Sequence, residues 1–293
     1  VRRKPIETAF NWANVLFMLF VIVVCVYPFV YILAISFNDG IDAQRGGIFL
    51  YPRKFSLENY KTVFKNQSIM RAYGVTVYRT VIGTLVGLFF NALAAFALAK
   101  NHLPMRRIFY YMIIVPMYFW GGLIPFFIVI MKLGLLNNLL VYIIPGLYVP
   151  YYMILLISFF KQIPASLEDS ARIDGASEFL IFWALVIPVS KPVLAAISLF
   201  LGVWHWNDWY DGYVYMSNST LWPIQTLLLN IIKSSDSSSF LKSSGHFFLR
   251  RRKVTMESVK MATIIISVAP IIMVYPFLQR YFVKGIMIGS LKG

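Results

Sequence analysis

Residues 73–99, YGVTVYRTVIGTLVGLFFNALAAFALA, decide the fold. The stretch is longer than the roughly 20 apolar residues a helix needs to cross a bilayer, and its only charge is Arg79. In lipid each backbone donor and acceptor must be satisfied internally, so such a run reads as a membrane-spanning helix. Working outward, similar runs are expected to span at about 10–37, 108–131, 138–160, 192–212 and 260–282. Composition agrees: 59% of the chain is apolar and only 13% charged, which excludes an ordinary soluble domain. The expected fold is all-α, with six transmembrane helices in one membrane domain over residues 1–293. An even number of spans puts both termini on one side.

Some spans carry their own interruptions. Gly121, Gly122 and Pro125 in the third, and Pro145 and Pro150 in the fourth, predict bends beside a pore or at packing contacts. The segment 192–212 ends in a polar aromatic run and is expected to be broken or tilted. The basic VRRK start resembles the flank of a secretory signal. The apolar run behind it is too long, with no small-residue cleavage pattern before Pro28, so a retained first span is expected. Cys25 is the only cysteine, which excludes an intramolecular disulfide and a thiolate metal cluster.

Between spans, residues 38–72 contain Tyr51-Pro52 and FSLENYKTVF, a mixture suited to a short surface helix. The patch KSSDSSSFLKSSG at 233–245 lacks the apolar residues for a core and reads as a mobile loop. Lys and Arg give a net charge of +15 but are dispersed, with no nucleic-acid-binding motif beside them, so no nucleic-acid partner is expected. They divide almost evenly between the two sets of connections, and the positive-inside rule therefore gives no orientation.

Missing motifs narrow the function. No phosphate-cradling GxxxxGK[ST] loop occurs, so any ATP-derived energy must come from another chain. His102, His205 and His246 lack HExxH spacing and no GxSxG elbow appears, which leaves metal and serine hydrolase chemistry unsupported. Neither a catalytic role nor a cofactor in this chain is expected.

The polar interruption at 161–191, KQIPASLEDSARIDGASEFLIFWALVIPVSK, is different in kind. Ser166 and Asp169 have the spacing of a capping box for a helix starting near Leu167, and Gly175 reads as its stop. Glu168, Asp169, Arg172 and Asp174 would face water or a partner, while Leu167, Ala171 and Ile173 form a narrow apolar stripe. Patterning alone allows either a solvated connection or a helix that docks in a groove of a soluble protein.

The run LEDSARIDGASEFLIFWALVIPVSKP resembles the signature loop of ABC importer permeases, the membrane subunits of binding-protein-dependent uptake systems. Their pattern is EAA, three residues, Gly, nine residues, then I-x-L-P. Asp169, Ser170 and Ala171 stand at the EAA positions, Gly175 at the glycine, and Leu185, Ile187 and Pro188 at the close. Asp174-Gly175-Ala176 has the form common among sugar permeases, and Asp169 and Ser170 depart conservatively from the pattern. NDWYDGYVYM at 207–216 and the C-terminal VYPFLQRYFVKGIMIGSLKG resemble the second permease of maltose-type carbohydrate importers, with the alginate importer's second permease one such protein.

The resemblance implies a type I importer permease fold with a cytoplasmic coupling helix. The ATPase-coupling residues would be Leu167, Glu168, Asp169, Ser170, Ala171, Arg172, Asp174, Gly175 and Ala176. Implied partners are a second, different permease, two cytoplasmic ATP-binding-cassette subunits that bind ATP and Mg, a solute-binding protein, an oligosaccharide substrate and membrane lipid. Location in a bacterial inner membrane with both termini cytoplasmic follows from the same resemblance.

That orientation gathers Arg45, Arg53, Lys54, Lys61, Lys65 and Arg71, then Lys233, Lys242, Arg250, Arg251, Arg252, Lys253 and Lys260, on the entry side. A basic entrance favours an acidic oligosaccharide of uronate or alginate type, with headgroup or binding-protein contacts as the alternative use of these charges. Aromatic and polar residues within spans are candidates for the substrate path: Tyr118, Trp120, Tyr148, Tyr152, Trp204, Trp206, Asn207 and Trp209. Interface anchoring and helix packing would equally explain them. Arg79 and Asn91 should face a cavity or a partner, because a charge in mid-membrane costs roughly 2.5–3.5 kcal/mol on insertion scales. A secondary transporter would need ionisable relays, and Arg79 and Asp208 are nearly alone in the spans; a non-transporting scaffold also remains open.

Overall fold

A computed structural model describes residues 5–100, 102–233 and 254–290. In chain order, α1 (Pro5–Ser36) leads through α2 (Gly40–Gln44) and α3 (Glu58–Lys65) into α4 (Gln67–Ala99). Then follow α5 (Arg106–Tyr118), α6 (Leu123–Lys132), two 3-10 turns at Leu139–Tyr142 and Ile144–Leu147, and α7 (Pro150–Phe160). Next come α8 (Ala165–Ile173), α9 (Glu178–Ile181), a π-turn (Phe182–Val186), α10 (Ile187–Val189), α11 (Lys191–Asn207), α12 (Tyr210–Tyr215), α13 (Ile224–Lys233) and α14 (Met256–Ser290). Among the described residues the only β pairing is an isolated bridge between Asn38 and Phe55. The all-α expectation is met.

The spans divide into continuous and broken ones. Phe10–Ser36, Gln67–Ala99 and Met256–Val274 are each long and apolar enough to cross a bilayer unaided. The expected fourth span is a pair, Leu139–Leu147 and Pro150–Phe160, bent by 44°. The fifth is Glu178–Val189 with Lys191–Asn207, bent by 85°. The third is split into α5 and α6 at 119–122, where Gly122 takes φ +88°. The six expected segments are compatible with this layout. Gly121, Gly122, Pro145 and Pro150 do stand at bends, as their lost donors and permissive backbones require.

One boundary needs correction. The polar connection expected over 161–191 is polar only as far as Glu178; beyond it Ile181, Phe182 and Val186 are buried in a core with Phe96, Leu156 and Ile197. Pro188 explains the local geometry: its ring cannot tolerate the carbonyl four residues back, and the chain widens into the π-turn just before it.

The chain forms two compact units. The first lies within 1–70 and 228–269. There the 38–72 connection, expected to hold a short helix, holds α2 and α3 and is organised by Asn59. Its Nδ2 donates to the carbonyls of Ser36 (2.9 Å) and Asn38 (2.8 Å), and its Oδ1 accepts from the Ser258 hydroxyl (2.8 Å). Along α1, residues from Phe10 to Phe29 present exposed side chains, as a lipid-facing helix would.

The second unit lies within 71–227 and 270–293. It contains α5 to α12 and most of α4. Asn91 on α4 repairs the break in the fourth span: Nδ2 donates to the carbonyls of Gly87 (2.7 Å) and Leu147 (3.1 Å), and Oδ1 accepts from the Val149 amide (3.0 Å). A buried polar side chain thus supplies the partners that a helix interrupted before Pro150 forfeits. The predicted loop at 233–245 and the basic run Arg250–Lys253 lie outside the described residues, apart from Lys233 at the end of α13.

Candidate functional site

Helix α8 begins at Ala165, immediately after Pro164, without a side-chain cap. The capping box expected from Ser166 and Asp169 does not form. The Leu167 amide bonds back to the Pro164 carbonyl (3.1 Å), Ser170 donates its hydroxyl to Ser166 O (2.9 Å), and Asp169 turns to Arg172. The predicted stop is present. Gly175 has φ +84°, its amide bonds Arg172 O (3.0 Å), and the Ala176 amide bonds Ala171 O (2.9 Å). This is a Schellman ending, which needs a left-handed residue where glycine alone carries no Cβ penalty.

The faces of α8 sort differently from the expected stripe. Ala171 and Ala176 pack toward the core shared with Phe96 and Phe182, whereas Leu167 is exposed and Ile173 is 86% exposed. Two apolar side chains therefore project from a charged helix into solvent, beside Asp169 and Asp174. That composition suits docking in a partner's groove.

A charge network holds the helix. Arg172 donates Nε to Glu178 (2.7 Å), Nη1 to Asp169 (2.8 Å) and Nη2 to Glu168 (3.2 Å). Lys100, directly after the last residue of α4, pairs with Glu168, lies 3.8 Å from Glu178, and places its ammonium 3.9 Å from the centre of the Phe96 ring. Arg172 draws the Glu178 carboxyl below its ordinary range chiefly by hydrogen bonding, with Lys100 assisting. The guanidinium is raised in turn, first by Glu178. Lys100 and Glu178 are the members that sequence reasoning missed. The available signal was a lysine ending an apolar span four residues after an aromatic, opposite an acid-rich loop.

A second network lies within the spans. The Arg79 side chain is fully buried: Nη1 donates to Asp208 Oδ2 (2.9 Å) and to Asp208 O (3.1 Å), and Nη2 donates to Asp211 Oδ2 (3.1 Å). The guanidinium carbon lies 4.6 Å from the centre of the Tyr142 ring, and Tyr142 anchors itself by donating its hydroxyl to Leu221 O (2.8 Å). Asp208 also receives the amides of Tyr210 and Asp211, fixing the start of α12. Arg79 thus has the protein partner its position demands. Asp211 lies within the NDWYDGYVYM run, and nothing local in the sequence marks it as that partner.

The proposed path residues do not form one cluster. Tyr118 (75% exposed) is the last residue of α5, and Trp120 (72%) lies in the break before α6. Tyr148 donates its hydroxyl to Met112 O (2.6 Å), while Tyr152 stacks on Phe200. On α11, Trp204 is exposed and leans on His205, Trp206 is buried edge-on to Tyr73, and Asn207 is exposed. Trp209 packs edge-on to Tyr210 and Tyr213. Among the described basic residues of the expected entrance, Arg53 is engaged by Asp42 (3.1 Å) and Lys61 by Glu58 (3.1 Å), which weakens the field there.

Comparison with known proteins follows this geometry. Residues 83–288 match the family described as binding-protein-dependent transport system inner membrane component. Protein LplC of Bacillus subtilis (strain 168) is 38% identical over 97% of this chain and 95% of its own length. The polygalacturonan/rhamnogalacturonan transport system permease protein YtcP of the same organism is 37% identical, over 94% of this chain and 96% of its own. Among solved structures, a chain of a bacterial ABC transporter involved in the import of the acidic polysaccharide alginate superposes with a TM-score of 0.88 at 31% identity, covering 96% of this chain and 99% of that one.

Proposed function

The chain belongs to the family of binding-protein-dependent transport inner membrane components, and from that premise we propose that it is one permease half of an ATP-driven importer of acidic oligosaccharides. A second, different permease completes the pore, two cytoplasmic ATP-binding-cassette subunits bind ATP and Mg, and a solute-binding protein delivers the cargo. The whole chain acts as one permease domain, with α8 in the cytoplasm of a bacterial cell and both termini on that side. Leu167 to Ala176 contact the ATPase, and closure of the ATPase dimer moves the spans joined to α8.

The observation that carries this reading is α8 itself. It is ended by a glycine in the left-handed region, held by Arg172 and Lys100, and presents Leu167 and Ile173 to solvent beside acids. A ligand must interact differently with two states to shift their balance, and a rigidly mounted helix gives a soluble motor something to grip in each. Acidic cargo is supported by what YtcP and the alginate importer are named for. The exposed aromatic residues Tyr118, Trp120, Trp204 and Trp209 are proposed to stack on sugar rings, with Tyr148, Tyr152, Trp206 and Asn207 around them.

The test is reconstitution with the neighbouring permease, ATPase and binding protein. Binding protein loaded with a uronate oligomer should stimulate ATP hydrolysis and uptake, and the same oligomer with its carboxylates reduced to alcohols should not. Equal rates for the two forms would remove the acidic cargo. No stimulation by any loaded binding protein would remove the importer role.

A further inference from the structure

We propose that α4 is the strut that carries motion from the docking loop to the far end of the second unit, with Lys100 and Arg79 as the positioning residues at its two ends. The proposal rests on reading α8 as the ATPase contact. Its basis is the pattern of attachments along one helix. At the end of α4, Lys100 enters a pair of glutamates, Glu168 on α8 and Glu178 on α9. About 31 Å away along the axis, at the 1.5 Å helical rise, Arg79 enters a pair of aspartates at the start of α12, Asp208 and Asp211. Between them Asn91 ties in the broken fourth span through Leu147 and Val149.

Neighbouring helices are interrupted where α4 is not. The bends at 119–122, 148–149 and 190 fall in other segments, and α4 runs from Gln67 to Ala99 without a proline. Hinges concentrate at such interruptions, whereas an unbroken helix transmits displacement along its length. The close fit at Gly83 and Gly87 limits slipping: a Cβ at Gly83 would lie 2.5 Å from the His205 ring, and one at Gly87 would lie 3.0 Å from Gly146 O. With α4 clamped at three levels, displacement of α8 reaches α12 through α4 more directly than through the bent chain 174–209.

The experiment uses the complete reconstituted complex in a Cys25→Ala background, with single fluorescent reporters at Ser166→Cys, exposed in the first turn of α8 and outside the proposed ATPase contact, and at Ser219→Cys just beyond α12. In the wild-type background both reporters should respond to ATP. In Lys100→Met the complex should assemble, keep basal ATPase activity and keep the Ser166 response. The Ser219 response should be lost, and uptake should fall about tenfold, within the usual range of coupling between sites. Lys100→Arg should restore both. Arg79→Lys, which keeps the charge but cannot fork between two carboxylates, should reproduce the split.

An unchanged Ser219 response with normal uptake in Lys100→Met would overturn the strut. Loss of the ATPase subunits from Lys100→Met would also overturn it, by making Lys100 a docking residue. Absence of any ATP response at Ser166 in the wild-type background would instead remove the reading of α8, and the strut with it.

Discussion

Two clusters built from the same chemistry, a cation shared between carboxylates, meet opposite surroundings in this molecule. Arg79 is wholly buried between Asp208 and Asp211, whereas Arg172 is partly exposed, and its partners Asp169 and Glu178 have side chains 62% and 52% exposed. Charges out of water gain large mutual attraction but must recover a large desolvation cost, so removing one partner leaves the other stranded. Charges in water gain little from pairing, typically below about 1 kcal/mol each. The inner cluster therefore holds the bundle together, while the outer one chiefly sets the angle of α8.

The sharpest break of this contrast is Arg79→Gln. Two aspartates with side chains only 13% and 16% exposed would lose their counter-charge, and a loss of about 3 kcal/mol in stability is expected, near the upper end for single changes. Equilibrium unfolding of the detergent-solubilised chain should show it. Arg79→Lys should fall between, because it keeps the charge and loses the fork. If Arg79→Gln unfolds like the parent chain, the cluster is hydrated and the contrast disappears.

Packing beside the inner cluster gives the next effect. A methyl group at Gly83 would overlap the His205 imidazole, which is itself buried, so Gly83→Ala should cost about 1–3 kcal/mol. The double change Gly83→Ala with His205→Ala should recover most of that loss, because the ring and the methyl compete for one space. Additive losses would mean that the helices separate instead of the ring yielding.

At the outer cluster the corresponding backbone test is Gly175→Ala. Nothing lies within 4 Å of a Cβ there, so the cost is conformational alone, about 1–2 kcal/mol for a left-handed alanine. Global stability should fall by that amount at most, and by less if α8 opens locally before the rest of the unit. Amide exchange across Ala165–Ala176 should accelerate and substrate-stimulated ATP hydrolysis should fall. Unaltered exchange would show that the charge network, and not the Schellman ending, orders α8.

What was legible beforehand divides along the same line. Apolar length exposes a span because the bilayer has a fixed thickness, and residues 10–36 and 67–99 proved continuous helices. Gly121, Gly122, Pro145 and Pro150 announce bends through local backbone limits, and Gly175 announces a helix end in the same way. The partners of Arg79 were out of reach because they lie 129 and 132 residues away, and only the tertiary fold brings them together. Ser166 and Asp169 had the spacing of a cap, but a helix starting right after Pro164 leaves Asp169 to bond Arg172 instead. Local rules were met where no other partner competed for the same side chain, and they failed at Asp169, where a second local partner did.

The smallest effect comes from acid. Glu178 is held below its ordinary value of 4.5 mainly by the Arg172 hydrogen bond, so it stays ionised through the neutral and mildly acidic range. A group with a depressed folded pKa contributes fully above its unfolded value and loses that contribution as pH falls through the folded one. Exchange protection of α8 should therefore be flat from pH 8 to about pH 5 and weaken only below the usual glutamate range. The contribution is below about 1 kcal/mol, because the carboxylate is half exposed and water screens the pair. Glu178→Gln should lower protection slightly at neutral pH and remove this part of the acid response. A response centred near pH 6.5 would overturn the assignment to Glu178, because no carboxylate lowered by a cation titrates there.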